Sequence, residues 1–403
     1  MTFNFRSIPI GELCQGIYDG PHATPAPSDS GAIFLGISNF VNGKLNLSPS
    51  NIRYISEEDY PKWTKRVTPK AHDIVFSYEA TLNLYAIIPD GFRGCLGRRM
   101  ALMRPDEGVV DYRFLYYYMF SPAWREEVER YKVNGSTVDR IPLVSFPSFR
   151  VDLPNMRTQK AIADILFAID QKIDSNSRVN DNLQQQAAAI FRSWFVDCAP
   201  FGGKAPDEWK NVTLEDITAL ISRGITPKYA DDTDQIVINQ KCIRNHTIDL
   251  SLARTHTPKV INEKWLRFGD LLINSTGDGT LGRAAQVWFQ PKNLTVDSHV
   301  TIARPAKENL IFYIGLWGIL HEKEIESLHT GSTGQTELPR DRVKAMELRL
   351  PDNDTLDRFN ALITPMAAAI VANQEENNRL AALRDAILPK LISGEIDVSA
   401  VQL

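Results

Sequence analysis

Asp73-Ile74-Val75-Phe76-Ser77 and Asp270-Leu271-Leu272-Ile273-Asn274 stand 197 residues apart, and each reads as a short apolar strand bounded by turn residues. The agreement extends outward from there. Asn180-Asp181-Asn182-Leu183 aligns with Asn377-Asn378-Arg379-Leu380, and Ile190 with Ile387, at the same offset of 197. Leu153-Pro154-Asn155 meets Leu350-Pro351-Asp352, and Gly135-Ser136-Thr137 meets Gly331-Ser332-Thr333. Arg104-Pro105 and Arg304-Pro305 correspond at 200, so an intervening loop differs by three residues. Gly20-Pro21-His22-Ala23-Thr24-Pro25 resembles Arg223-Gly224-Ile225-Thr226-Pro227-Lys228. One such match arises by chance; several in the same order mark an internal duplication.

Each copy ends in a helical pattern. From Thr158 onward, Ile162, Ile165, Leu166, Ile169 and Ile173 recur at three- and four-residue steps, as a buried helical stripe requires. Phe359, Leu362, Ile363, Met366 and Ile370 occupy the corresponding places, although Pro365 is expected to interrupt that stripe. Helices of some 35–40 residues would reach roughly 50–60 Å. Neither could bury its stripe alone, so Ile162, Ile165, Ile169, Ile173, Leu362, Met366 and Ile370 are predicted helix-pairing positions. Each helix leaves one copy and travels toward the other, so the pair is expected to be antiparallel. Trp194 and Phe195, at the end of the first helix, are answered by Leu391-Ile392; they either close the core or, as their place beside a linker favours, form a partner-docking surface.

The other segments mix β-rich runs, such as Ala32-Ile33-Phe34-Leu35, with helical stretches at 111–130 and 309–326. The predicted class is α+β. Two similar mixed α/β domains, 1–152 and 200–350, alternate with helical regions 153–199 and 351–403. The helices pair as a coiled-coil-like spacer, with pseudo-two-fold symmetry. Pro200-Phe201-Gly202-Gly203-Lys204-Ala205-Pro206 is the clearest linker.

Composition narrows the function. Of 403 residues, 43% are hydrophobic and 23% charged, which excludes wholesale disorder. The net charge of −4 counts mildly against a free-standing nucleic-acid binder. Cys14, Cys95, Cys198 and Cys242 form no CxxC pair, no basic-then-apolar leader opens the chain, and no run spans a membrane; a cytoplasmic protein is expected. There is no Walker A loop, no Asn/Asp-Pro-Pro-aromatic methyltransferase tetrapeptide and no HExxH. Pro206-Asp207-Glu208-Trp209-Lys210 carries pieces of a nuclease motif, but they abut where such sites draw carboxylates from separate strands. No metal site and no catalysis by this chain are expected.

A mixed domain and a long helix, each repeated, resembles the specificity subunit of type I restriction–modification systems, the HsdS family. The resemblance covers essentially the whole chain. It is carried most specifically by Leu153-Pro154 through Thr158-Gln159-Lys160, Ile169-Asp170-Gln171-Lys172-Ile173, Phe191-Arg192-Ser193-Trp194-Phe195 and Ile387-Leu388-Pro389-Lys390-Leu391-Ile392-Ser393-Gly394-Glu395-Ile396. It implies two target-recognition domains reading a bipartite, asymmetric site in double-stranded DNA, with the helices as ruler and docking platform. Its implied partners are modification subunits, two on a pseudo-two-fold axis, which bind S-adenosylmethionine and methylate adenine. Restriction subunits using ATP and Mg join them. No cofactor is expected on this chain.

Base readers need polar side chains on exposed loops. In the first copy the candidates are His22, Thr24, Ser77, Tyr78, Glu79, Arg93, Arg98 and Arg99. In the second they are Arg223, Thr226, Lys228, Lys241, Arg244, Ser275, Thr276 and Arg283. Segments 77–81 and 274–280 follow corresponding predicted strands and differ in sequence, as reading two half-sites requires. The acidic balance supports a rival, a coiled-coil adaptor whose duplicated heads bind protein. An unrecognised nuclease or methyltransferase is the third reading.

Overall fold

The computed structural model describes residues 5–49, 51–135, 138–277, 279–331 and 336–398. Ser136-Thr137 and Ser332-Thr333 of the repeated Gly-Ser-Thr, and Asp278 of the 274–280 segment, lie outside the described residues. The chain forms two compact units, 1–173 with 379–403, and 174–378. The division runs through both long helices, so each unit holds one head and a part of each helix.

The heads share one topology. In the first, a four-stranded antiparallel sheet runs in the order Cys14–Asp19, Met100–Pro105, Ile74–Ser77, Tyr85–Ile87; in the second the order is Thr218–Arg223, Val300–Pro305, Leu271–Asn274, Ala284–Gln286. The registers agree: Leu102 faces Val75, and Ile302 faces Leu272. A three-stranded sheet follows in each head, with Ala32–Leu35 parallel to Gly94–Leu96 and Ile236–Ile238 parallel to Leu294–Val296. Finally Arg6–Pro9 pairs with Arg150–Leu153, and Lys210–Thr213 with Glu347–Leu350. Each head thus joins its first and last strands just before its helix.

A buried ion pair is repeated atom for atom. Arg104 donates from Nε and Nη2 to Asp73 at 2.8 and 2.7 Å, and Arg304 donates to Asp270 at the same two distances. The second oxygen of each carboxylate also accepts a backbone N–H, from Lys70 or Arg267, at 2.8 Å. Planar guanidinium–carboxylate geometry locks the start of one strand to the end of its neighbour.

The helices run over Met156–Phe191 and Asn353–Ile392, 36 and 40 residues. The first closes in a π-helical turn, Arg192–Val196. Pro365 breaks nothing: the second helix is continuous through it. The pairing is antiparallel. In the second unit Asn176 donates to Asn377 Oδ1 at 2.9 Å and Asn373 to Asn180 Oδ1 at 2.8 Å, so partner numbers fall as those of the first helix rise. In the first unit Asp170 accepts from Arg384 at 2.8 Å and from the Tyr117 hydroxyl at 2.7 Å.

The expected pairing residues are revised accordingly. Ile162, Ala163 and Leu166 pack into the first head's core together with Leu388, Leu391 and Ile392, with Ile165 at its margin. Ile169 and Ile173 are half-buried. Phe359, Ile363, Ala367 and Ile370 serve the second unit, with Met366 at its margin. Leu362 is 42% exposed and is not a pairing residue, because the buried face runs 359, 363, 367, 370 and leaves position 362 off to the side. The contacts between the helices include the Asp170–Arg384 ion pair and the bonds of Asn176 and Asn373, so the seam is more polar than a coiled-coil stripe. Trp194 and Phe195 also have work inside the chain: with Phe201, Trp209, Tyr313 and Phe359 they form an aromatic cluster, Phe195 lying 4.8 Å from Phe359 between ring centroids. The cation of Arg358 covers Trp194 at 5.5 Å.

Candidate nucleic-acid interface

The loops that leave corresponding strands converge on one constellation in each head. Tyr78 N–H donates to Arg99 O at 3.2 Å, and Ile141 N–H donates to Tyr78 O at 2.7 Å. In the second head Ser275 N–H donates to His299 O, and Leu338 N–H to Ser275 O, both at 2.8 Å. Isolated bridges continue the match, Glu79 with Arg140 and Thr276 with Glu337. Each post-strand loop is therefore clamped between a turn at 97–99 or 297–299 and the bridged pair Val133–Arg140 or Thr330–Glu337.

The segments Gly20 to Pro25 and Gly224 to Pro227 close the two constellations. A Cβ on Gly20 would collide with Gly97 O, and one on Gly224 with Val296 O, so only glycine lets the segment approach the turn this closely. Beyond it, Thr24 and Thr226 are exposed. His22 is also exposed; its Nε2 lies 3.0 Å from Asp19 and its ring sits edge-on to Tyr78. Asp19 lies well below the ordinary carboxylate range: burial would raise it, but hydrogen bonds and charge from Arg66 and the His22 contact outweigh burial.

The structure sorts the predicted readers. Ser77 and Ser275 are fully buried, bonding Thr81 O and the Thr301 hydroxyl, so they hold their loops in place. Tyr78 is also buried; its hydroxyl donates to Arg98 O at 3.2 Å, and burial with the nearby Asp19 and Glu79 charges pushes it up to about 12. Glu79 accepts from Arg99 Nε at 3.2 Å, with both side chains partly exposed. At the matching place Thr276 Oγ1 meets His299 Nδ1 at 2.7 Å. Arg223 pairs with Glu337 at 2.6 Å and also donates to Leu338 O. Arg283 reaches Gly279 O at 2.7 Å. Arg98, Lys228, Lys241 and Arg244 are exposed and form no ion pair with a described residue, which leaves their charges available to a ligand. Arg93 lies elsewhere, paired with Glu57 and stacked 4.3 Å over Tyr60.

Sequence reasoning missed Asp19, Arg66 and His299. His299 had a signal: the 200-residue offset of Arg104 and Arg304 also pairs it with Arg99. Asp19 and Arg223 occupy matched strand ends at opposite charge, a likeness that residue matching does not find.

Known proteins resemble this chain over most of its length. Residues 24–185 match the family model for the type I restriction modification DNA specificity domain. The type I restriction enzyme MjaIX specificity subunit of Methanocaldococcus jannaschii is 24% identical, over 88% of this chain and 83% of that one. The HindI specificity subunit of Haemophilus influenzae is 22% identical, over 90% of this chain and 94% of its own length. Over most of its length the chain is similar to type I restriction–modification specificity subunits. The crystal structure of a type I S subunit from M. genitalium has the same fold, with a TM-score of 0.55 at 13% identity over 96% of both chains. Within this chain the two constellations occupy corresponding places in the two heads. No helix among the described residues is long and apolar enough to cross a membrane.

Proposed function

We propose that the chain supplies the DNA specificity of a type I restriction–modification complex, each head reading one half of a bipartite, asymmetric site. The observation that carries this reading is the pairing of one scaffold with two chemistries. Strand order, register and the Asp–Arg lock repeat, while the loops at the converging turns differ in charge and in hydrogen-bonding type. A protein that recognised one thing twice would have no use for that difference. Arg98, Lys228, Lys241 and Arg244 provide phosphate contacts, which carry no sequence information but position the heads.

In this reading the chain performs no chemistry. Two modification subunits seated on the helices bind S-adenosylmethionine and methylate adenine, and restriction subunits add ATP- and Mg-dependent cleavage in the cytoplasm. The net charge of −4 makes the assembled complex, not this chain alone, the high-affinity species. The test is to produce the chain with a modification subunit in a host lacking other systems and to map methylated adenines across the genome. One asymmetric motif with two defined halves and an undefined gap is expected. Methylation without such a motif, or none with a partner shown to be bound, refutes the reading.

A further inference from the structure

We infer that Glu79–Arg99 and Thr276–His299 are the corresponding specificity-determining pairs of the two heads, and that Glu79–Arg99 reads a G·C base pair. This rests on the reading above. The pairs are matched by backbone: residues 78 and 275 each donate to the carbonyl at 99 or 299, and the carbonyl of each accepts from the N–H of residue 141 or 338. The side chains then meet at the same place, Glu79 with Arg99 at 3.2 Å and Thr276 with His299 at 2.7 Å. The scaffold pair at the other end of the same two strands is unchanged between the heads, Asp73–Arg104 against Asp270–Arg304. Chemistry has been held constant where it builds the head and altered at this exposed pair.

The acid–guanidinium pair has a definite complement. In the major groove guanine presents two acceptors, N7 and O6, while its cytosine partner presents the N4 amino donor. A guanidinium donates to the first and a carboxylate accepts from the second, so one G·C pair satisfies Glu79 and Arg99 together. Any other base pair leaves a charged group short of a partner in a desolvated interface, which is where the penalty for a lost hydrogen bond is greatest. Thr276 and His299 make no such demand. A hydroxyl serves as donor or acceptor, and a threonine methyl suits the thymine methyl, so the second half-site has no G·C requirement at the matching position.

The test exchanges the pairs in the full chain, produced with its modification partner, with methylated motifs mapped genome-wide. Glu79→Thr with Arg99→His is expected to relax a G·C requirement at one position of one half-site and leave the other half-site intact. Discrimination there should fall from about 5- to 150-fold, the range of a good bidentate contact, to near parity. Thr276→Glu with His299→Arg is expected to add a G·C requirement to the other half-site. Unchanged motifs in both exchanges overturn the inference while the two-headed reading stands. A wild-type complex with no bipartite motif overturns both. If an exchange abolishes methylation, Glu79→Gln decides: it keeps the side chain's shape but brings an amide donor to the groove. A changed base preference at one position is expected, and an unchanged motif overturns the proposal.

Discussion

Asp73 and Asp270 do the same job in unequal surroundings. Arg304 is 7% exposed and also donates to Glu263 O and Trp265 O at 2.7 and 2.6 Å, whereas Arg104 is 20% exposed and also donates to Thr68 O. Deleting one member of a buried pair strands the other, and the cost grows with burial. Asp270→Ala should therefore destabilise its unit by about 3–5 kcal/mol. Asp73→Ala should cost less, about 2 kcal/mol, because water reaches the remaining guanidinium. Urea unfolding followed by circular dichroism and by tryptophan fluorescence, from Trp63 and Trp124 in the first unit and from Trp194, Trp209, Trp265, Trp288 and Trp317 in the second, checks the difference. Equal losses would show that burial does not set the strength of this lock. At this scale the sequence was legible where identity was kept, as in Arg104-Pro105 and Arg304-Pro305, and opaque where equivalent positions changed chemistry. Arg99 was named as a reader and His299 was not, although the backbone uses them identically.

At the scale of elements, the helices show where the duplication has diverged. The amide pairs Asn176–Asn377 and Asn180–Asn373 map onto each other under the 197-residue repeat. The pair Asp170–Arg384 does not: its repeat equivalents are Ala367 and Ala187, both buried. One unit thus fills this place with an ion pair capped by Tyr117, the other with two methyl groups. Arg384→Ala leaves a buried carboxylate with only the Tyr117 hydroxyl and should cost about 3 kcal/mol. Removing the charges together, in Asp170→Ala with Tyr117→Phe and Arg384→Ala, should cost less than Arg384→Ala alone, since it recreates the arrangement of the other unit. Thermal unfolding of both variants decides. A larger loss in the triple variant would mean that the network adds net stability instead of paying its own desolvation. The helices themselves were easy to read because the 3.6-residue period is long and repeated. Leu362 was misjudged because residues 362 and 363 are both apolar, and periodicity alone does not say which one faces inward. Trp194 and Phe195 read as partner-docking residues from their place beside a linker, and the aromatic packing on Trp209, Tyr313 and Phe359 is not legible there because the fold brings those rings together.

At the scale of the molecule, each head is closed by its own first and last strands and carries between them the whole constellation proposed to read DNA. A head should therefore be transferable. The structure sets the terms of the graft. The first head meets its helix through Val110, Phe114, Tyr117 and Val151, which share a core with Ile162, Ala163, Leu166, Leu388 and Leu391. It also sends the Tyr117 hydroxyl to Asp170 and receives the Gln159 side chain at Asp111 N–H. A replacement for residues 1–152 that keeps an apolar face at those positions and a tyrosine at 117 should fold and assemble. It should change one half of the methylated motif and leave the other half and the gap unchanged. A graft without that tyrosine should read the same new half-site but lower the unfolding temperature, because Asp170 would be left with Arg384 alone. Motif mapping and thermal unfolding separate the two effects. A change in both half-sites would mean that the heads do not read independently, whatever their separate cores allow.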